Sequence, residues 1–293
     1  MQEFQVEKDY FVSLLLKTIQ ETQKNVEVVF KGGTSLSKCY DIIDRFSEDI
    51  DLAIIFSGEK PNNSMRKRLK NTIIEAISRS GMILLNSDEL KSNRDYNYYE
   101  VAYDQGFEAN NIMIPHVVVE TIVAYKPYPI IRKNTSNYIT KFLSLSNRFD
   151  LIETYELKPF EITLQGVGRT FIDKLFAICD YHIDKKYNRN SRHIYDIHMI
   201  WSKGILDLEE TKNMIENIVK DRQIYGVNNK SCLPGAQPLT LLREIIVLSP
   251  YKSDYNNVTM NFLYKKVEYD VCIKSIEEII LEGFIPDVIG NYQ

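Results

Sequence analysis

The chain has 293 residues, a formal net charge of −4, 44% hydrophobic residues and 26% charged residues. This composition fits one large or two modest globular domains and argues against long disordered or fibrous segments. The small negative charge excludes a global basic field, so a nucleic acid would have to be bound by local patches. The four cysteines form no CxxC pair, which predicts reduced, buried thiols.

The N-terminal residues MQEFQVEKDY carry charges where a signal peptide needs an apolar core. The longest apolar stretches are shorter than a membrane span. The sequence therefore predicts a cytoplasmic protein with no membrane association.

The first half of the sequence mixes helix and strand signals. Asp9 is a candidate N-cap for an opening helix, because apolar residues follow it at helical spacing as far as Ile19. A helix with a basic face is predicted over residues 63–80. Short apolar runs rich in β-branched residues predict strands at 26–30, 50–56, 98–103, 113–125 and 160–164.

The second half has a different texture, with apolar residues three and four positions apart. This spacing predicts helices at 171–183, 194–201, 208–220, 239–248 and 271–281, and a loop at 226–238. We therefore predict an α+β fold in two parts. A mixed-sheet domain spans residues 1–165, and a helical domain spans residues 166–293.

Asp49 and Asp51 stand at the start of the second predicted strand. Residues i and i+2 of a strand project from the same face, so both carboxylates can point at one spot. Two close carboxylates repel each other unless a cation lies between them, and Mg²⁺ prefers such oxygen ligands. On its own, an Asp-x-Asp pair more often marks a solvated strand edge.

A glycine turn upstream favours the functional interpretation. Gly32 and Gly33 follow a predicted strand and precede a helical pattern, where backbone N–H groups can cradle phosphate. Thr34 and Ser35 add hydroxyl groups to the same turn. A phosphate cradle shortly before a carboxylate pair predicts one site for a nucleoside triphosphate (NTP) and its metal.

The segment 30–54, FKGGTSLSKCYDIIDRFSEDIDLAI, closely resembles the leading motif of the AbiEii/AbiGii toxin family, which includes MenT-like nucleotidyltransferases. The resemblance implies an N-terminal nucleotidyltransferase domain of the polymerase-β type that uses an NTP and Mg²⁺ or Mn²⁺. The superfamily pattern has Gly-Ser where this chain has Gly33-Thr34, and a shorter spacer before the acids. The resemblance also suggests inactivation by modification at Ser47. The nucleotide-binding residues predicted on this basis are Gly32, Gly33, Thr34, Ser35, Lys38 and Ser47.

Two helical motifs extend the resemblance. The family carries an active-site Lys on one helix and an Asp on a following helix, and RTFIDKLFAICDY and SRHIYDIHMIW supply Lys174 and Asp196. The resemblance implies that the helical domain contributes both residues to the active site. Lys174 is expected off the apolar face of its helix, where it could reach phosphate charge, and Asp196 would orient it.

A third carboxylate is usual in the superfamily, on a strand beside the Asp-x-Asp strand. Glu120, within the apolar run VVVETIVAY, is the first candidate, because an acid there would otherwise be costly to bury. Glu100 is the second candidate, since a slip of one residue in strand register would reverse the facing. The predicted metal ligands are Asp49, Asp51 and Glu120.

The run 185–193 holds four firm positive charges and no acid. A solvated loop explains such a run about as well as an RNA-binding surface does. Its position between the helices of Lys174 and Asp196 favours contacts with an RNA backbone, with Tyr187 as a residue that could stack on a base. The predicted RNA-binding residues are Lys185, Lys186, Arg189 and Arg192.

The resemblance implies a toxin of a toxin–antitoxin or phage-defence pair with a cognate antitoxin as partner. Its MenT-like members add nucleotides to the 3′ end of tRNA and so block translation. Three alternatives stay open at this stage. The chain could modify a protein hydroxyl, it could bind nucleotide or RNA without catalysis, or it could be a regulatory partner whose acidic strand is incidental.

Overall fold

The computed structural model describes residues 1–108 and 114–292, so the start of the strand predicted at 113–125 lies outside the described residues. Contacts divide the chain into two units, which we describe separately. The first unit comprises Met1–Asp41 and Ser47–Gln165, and the second comprises Ile42–Phe46 and the chain from Gly166 onward.

The segment 42–46 departs from the predicted division, which assigns it to the first domain. It belongs to the second unit because its backbone is hydrogen-bonded there. Phe46 N donates to Phe262 O at 3.0 Å, and Tyr264 N donates to Asp44 O at 2.8 Å. The chain then enters the first unit at Ser47, immediately before the acidic strand.

The first unit is built on a mixed sheet. Its strands are β1 (Val28–Lys31), β2 (Asp49–Ile54), β3 (Ile83–Leu84), β4 (Tyr96–Ala102), β5 (Val117–Ile122), β6 (Ile130–Thr135) and β7 (Phe160–Gln165). Across the described residues these seven strands run in the order β3-β4-β5-β2-β1-β7-β6. The pairs β2–β5 and β1–β7 are parallel, and the other pairs are antiparallel.

The helices of the first unit are α1 (Glu3–Thr22), α2 (Gly32–Lys38), α3 (Asn63–Arg79), α4 (Tyr138–Leu145) and α5 (Phe149–Thr154). One face of the sheet packs against α1 and α3. Leu16 of α1 and Ile73 of α3 are fully buried there, together with Leu52 and Val119 from the central strands. Because strand side chains alternate, the neighbouring residues of β2 and β5 point to the opposite face.

The opening helix was predicted to begin near Asp9, and this prediction is wrong. Helix α1 begins at Glu3 with Gln2 as its N-cap, and Asp9 lies buried within it. The sequence pattern also does not predict β3, β6, α4 or α5. Strand β6 reads IIRKNT and has a mostly polar, exposed face, so it gives no apolar run.

The second unit is helical. Its helices are α6 (Val167–Ile183), α7 (Arg192–Ser202), α8 (Leu208–Gln223), α9 (Pro238–Leu248), α10 (Lys252–Asp254), α11 (Met260–Phe262) and α12 (Tyr269–Leu281). A π-helical turn, Tyr255–Thr259, joins α10 to α11. Helix α7 packs against α6 and α12, and Ile197 and Ile276 are fully buried at these contacts. The predicted α+β fold class is confirmed.

Within residues 1–108 and 114–292, every helix is too short or too polar to span a bilayer.

Candidate active site

Three carboxylates lie on one face of the sheet in the first unit. In the parallel pairing of β2 with β5, Asp51 lies directly opposite Glu120, and Asp49 lies opposite Val118. Asp49, Asp51 and Glu120 are all partly exposed, while their strand neighbours Ile50 and Val119 are fully buried on the other face. The register therefore brings the predicted first, second and third carboxylates to one side of the sheet.

The register separates the two candidates for the third carboxylate. Glu100 lies on β4, which is one strand further from β2, and it pairs with Val118 of β5. Its carboxylate is 4.0 Å from the ring of His116. Glu120 is on the strand next to Asp51, so the geometry favours Glu120.

Two tyrosines that the sequence analysis did not single out share this face. Tyr98 lies opposite Glu120, and Tyr96 lies two residues before it on β4. Burial raises the pKa of the Tyr96 hydroxyl, and the charge of Glu120 raises it further, followed by smaller effects of Tyr98 and Asp51. Burial and nearby acids likewise raise the pKa of Tyr98. Both hydroxyls stay protonated beside the carboxylates and can donate hydrogen bonds.

Gly32 is required by its contact with Asp51. Its φ is +76°, and a Cβ at this position would lie 1.9 Å from Asp51 Oδ2. On β1, the preceding residue Lys31 pairs with Asp51 in the sheet register. Asp51 thus lies between Glu120 on one neighbouring strand and Lys31 on the other, with the glycine turn against its carboxylate.

The hydroxyl groups of the turn are engaged within the fold. Ser35 is fully buried, and its hydroxyl donates to Gly32 O at 2.8 Å. Thr34 Oγ1 lies 2.8 Å from Ser47 Oγ, which ties the turn to the residue two positions before Asp49. The structure therefore gives these three side chains a role in fixing the turn, and their contacts with nucleotide stay predictions.

Lys38 is held in contacts within the fold, and its role in nucleotide binding stays a prediction. It is 7% exposed, and its ammonium group lies 2.5 Å from Asp9 Oδ1 and 2.6 Å from Ser13 Oγ. This ion pair joins α2 to α1, and a contact between Lys38 and phosphate would require the pair to open. A second buried lysine, Lys8 on α1, pairs with Glu48, the residue before the acidic strand.

The donor set of this face suits Mg²⁺ or Mn²⁺. Among the described residues, no group of three or more His, Cys, Asp or Glu side chains is arranged to hold a metal ion by itself. Asp49 and Asp51 nevertheless provide carboxylate oxygens on one side of the sheet, and Mg²⁺ is commonly bound by one or two carboxylates together with waters and substrate phosphates. These residues fit such an ion, while Glu120 as a ligand stays a prediction.

The second unit contains the other two predicted catalytic residues. Lys174 on α6 donates to Asp196 Oδ2 on α7 at 2.8 Å, so the expected pair is present. Lys174 is 7% exposed, and its contact with phosphate stays a prediction. Asp196 is fully buried.

Arg45 is the main partner of Asp196, and it is not among the residues predicted from the sequence. Its Nε and Nη2 donate to Asp196 Oδ1 and Oδ2 at 2.7 and 2.8 Å. Burial would raise the pKa of Asp196, but Arg45 and then Lys174 outweigh it and hold this pKa below its usual value. Arg45 lies within the motif and Asp196 stands alone among apolar residues of its helix, so each is a candidate for a charge pair, but the sequence does not link the two.

His193 adjoins the same cluster. Its Nδ1 lies 3.4 Å from Lys174 Nζ. Burial lowers the pKa of His193 well below its usual value, and the positive charges of Lys174 and Arg192 lower it further. The ring is therefore neutral at physiological pH and can accept a hydrogen bond from the ammonium group.

The basic run lies on the surface of the second unit. Lys185, Lys186, Arg189 and Arg192 are exposed, and Lys186 pairs with Asp184 at 2.9 Å. Tyr187 is half-buried, with its hydroxyl 3.2 Å from His182 Nδ1 and its ring edge-on to Tyr251. The ring of Tyr187 is thus used in packing.

Two carboxylates lie on one strand, and one of them contacts the glycine turn that follows the neighbouring strand. This arrangement is expected of an enzyme that transfers nucleotides. The family model of the nucleotidyl transferase AbiEii toxins of type IV toxin–antitoxin systems matches residues 14–279. The chain belongs to this family. It is therefore a nucleotidyltransferase toxin with an NTP as substrate and an antitoxin as its counterpart.

Among solved structures, the chain is similar to MenT4, a nucleotidyltransferase toxin of Mycobacterium tuberculosis H37Rv. The TM-score is 0.47 at 15% sequence identity, over 95% of this chain and 82% of MenT4. The sequence matches none of the curated proteins with which it was compared.

Proposed function

We propose that this toxin transfers a nucleoside monophosphate from an NTP to the 3′ hydroxyl of tRNA, with Mg²⁺ or Mn²⁺ as the metal and release of pyrophosphate. The modified tRNA would no longer accept an amino acid, so translation would stop in the cytoplasm. We propose phage defence as one role of this arrest of translation. The observation that carries the proposal is the register that places Asp51 opposite Glu120, with Asp49 on the same face.

Asp49 and Asp51 would hold the metal, with Glu120 as the third ligand. A bound divalent ion would polarise the α-phosphate and neutralise charge on the leaving pyrophosphate. Asp51 or Glu120 would accept the proton of the attacking hydroxyl. The glycine at position 32 lets the Asp51 carboxylate lie against the turn, since any side chain there would displace it.

Lys174 would contact the negatively charged phosphates of the NTP. The family resemblance and the charged residues around Lys174 support this role. Lys174 shares the Asp196 carboxylate with Arg45, so its own charge is only partly neutralised. A buried cation of this kind interacts with anions more strongly than one in water does, because the surrounding dielectric is lower.

The basic run supports RNA as the acceptor. Replacing Lys185, Lys186, Arg189 and Arg192 by alanine should weaken RNA binding and flatten its salt dependence, because each phosphate contact that is lost lowers the slope by about one. NTP affinity should change little. Equal salt slopes before and after the change would identify the run as a solvated loop.

The test is incubation of the purified protein with total tRNA, Mg²⁺ and each labelled NTP in turn, with Asp49→Ala as the inactive control. We expect label at the 3′ end of RNA and release of pyrophosphate for the wild type alone. Label on protein with none on RNA would identify a protein hydroxyl as the acceptor. Equal labelling by Asp49→Ala would refute the assignment of the site.

A further inference from the structure

Two buried cations of the second unit share one buried carboxylate. Arg45 and Lys174 each donate to Asp196, and the three residues are 4%, 7% and 0% exposed. Two cations and one carboxylate have a combined charge of +1. Burying a charge is unfavourable unless it is paired, so the contacts that each cation makes with Asp196 determine how far its charge is offset there.

The two cations do not share the carboxylate equally. Arg45 contacts both oxygens of Asp196 through its planar fork, whereas Lys174 contacts Oδ2 alone. Bidentate Arg–carboxylate pairs are stronger and better oriented than single Lys contacts. Arg45 therefore offsets most of the Asp196 charge, and Asp196 offsets the charge of Lys174 only in part.

We propose that Arg45 is a positioning residue that keeps Lys174 available to substrate phosphate by occupying both oxygens of Asp196. This inference rests on the proposed function, in which Lys174 meets the phosphates. Without Arg45, Asp196 and Lys174 would form a neutral pair, and the attraction of Lys174 for an NTP would fall. Asp196 then acts less as a support for Lys174 than as the anchor for Arg45.

Four variants separate the charge of the cluster from its structure. Counting these three side chains, the combined charge is +1 in the wild type, 0 in Arg45→Met, and +1 in both Arg45→Lys and the double variant Arg45→Met/Asp196→Asn. The fourth variant, Arg222→Met, is a matched control. Arg222 is 6% exposed and pairs with buried Asp180 at 2.6 Å, so its loss also removes a buried Arg–Asp pair.

The measurement is equilibrium binding of a fluorescent ATP analogue, with the KM and kcat of transfer measured alongside. Arg45→Met should weaken binding about tenfold, equivalent to about 1.4 kcal/mol, and raise KM by a similar factor with less effect on kcat. Arg45→Lys should bind within about threefold of the wild type, and the double variant at least about threefold more tightly than Arg45→Met, or about 0.7 kcal/mol. Arg222→Met should bind as the wild type does.

A purely structural role makes the opposite prediction for the double variant. If Arg45 only stabilised the fold, removing Asp196 as well would restore nothing, and the double variant would bind no more tightly than Arg45→Met. That result, or equal losses in Arg45→Met and Arg222→Met, would overturn the inference. If Arg45→Met does not fold, Arg45→Lys and the double variant test the inference. Retained binding in both supports it, and loss of binding in both overturns it. A wild type that binds the analogue and labels no RNA would contradict the proposed acceptor. The binding of the analogue by the four variants would still test the role of Arg45.

Discussion

Replacement of Gly32 by alanine tests the contact between the glycine turn and Asp51. A Cβ at position 32 would lie 1.9 Å from Asp51 Oδ2, and real Cβ contacts are essentially never below 3.0 Å. The carboxylate would therefore have to move by about 1 Å. A misplacement of about 1 Å in a catalytic group can lower the rate about 100-fold, so we expect a loss of at least that size in pyrophosphate release.

The stability cost of the same change has two parts. The φ of +76° costs an alanine about 1–2 kcal/mol, partly offset by about 0.4–1 kcal/mol from the stiffer unfolded chain. Moving Asp51 off its rotamer adds about 1 kcal/mol. The free energy of unfolding in urea should therefore fall by about 2 kcal/mol, a change too small to explain a 100-fold loss of activity in a folded protein.

Gly81 provides the matched control. Its φ is +72°, and a Cβ there would meet nothing within 4 Å. Gly81→Ala should therefore show the backbone cost alone, about 1 kcal/mol, with activity close to that of the wild type. If Gly32→Ala kept the activity of Gly81→Ala, the carboxylate of Asp51 would not need its present position, and the site assignment would be wrong.

Two further predictions concern hydrogen bonds and charge. Thr34→Val should lower the free energy of unfolding by about 1 kcal/mol by removing the contact with Ser47, and adding Ser47→Ala should cost little more; additive losses in urea unfolding would contradict a direct bond. The pKa of Asp196 is held below 3.8 in the folded state, so its contribution to stability is present above pH 3.8 and is lost as the pH falls through the folded-state value. Between pH 3.8 and that value, the unfolding free energy of the wild type should therefore fall more steeply than that of Asp196→Asn, by up to about 1.4 kcal/mol per pH unit; equal slopes would show that Asp196 is not ionised in this cluster.

The acidic strand was predictable because local rules determine it. An i, i+2 spacing fixes a shared face whenever a strand forms, and the strand at Asp49 needed only a run of β-branched residues to be predicted. The facing of Glu120 was less certain, since it depends on pairing between strands distant in sequence. Register follows from the burial of Val117 and Val119 on the helix-covered face, which a single sequence does not reveal.

The charge pairs were not predictable from local patterns. Lys38 pairs with buried Asp9, a residue predicted to be a helix cap, and the sequence does not indicate that the two are partners. Arg45 and Asp196 are 151 positions apart, and neither carries a local signal of the other. Ion pairs of this kind depend on the tertiary packing of helices, so sequence spacing can indicate candidates without choosing among their partners.

The central claim is that Asp49 and Asp51 hold a divalent ion with the substrate, and metal binding tests it directly. Electron paramagnetic resonance of Mn²⁺, titrated with the protein and a non-hydrolysable NTP analogue, measures this binding without requiring turnover. We expect the wild type to bind Mn²⁺, Asp51→Asn to lose the bound signal, and Asp88→Asn, an exposed acid in a surface turn, to match the wild type. Equal Mn²⁺ binding by Asp51→Asn and the wild type would contradict the account.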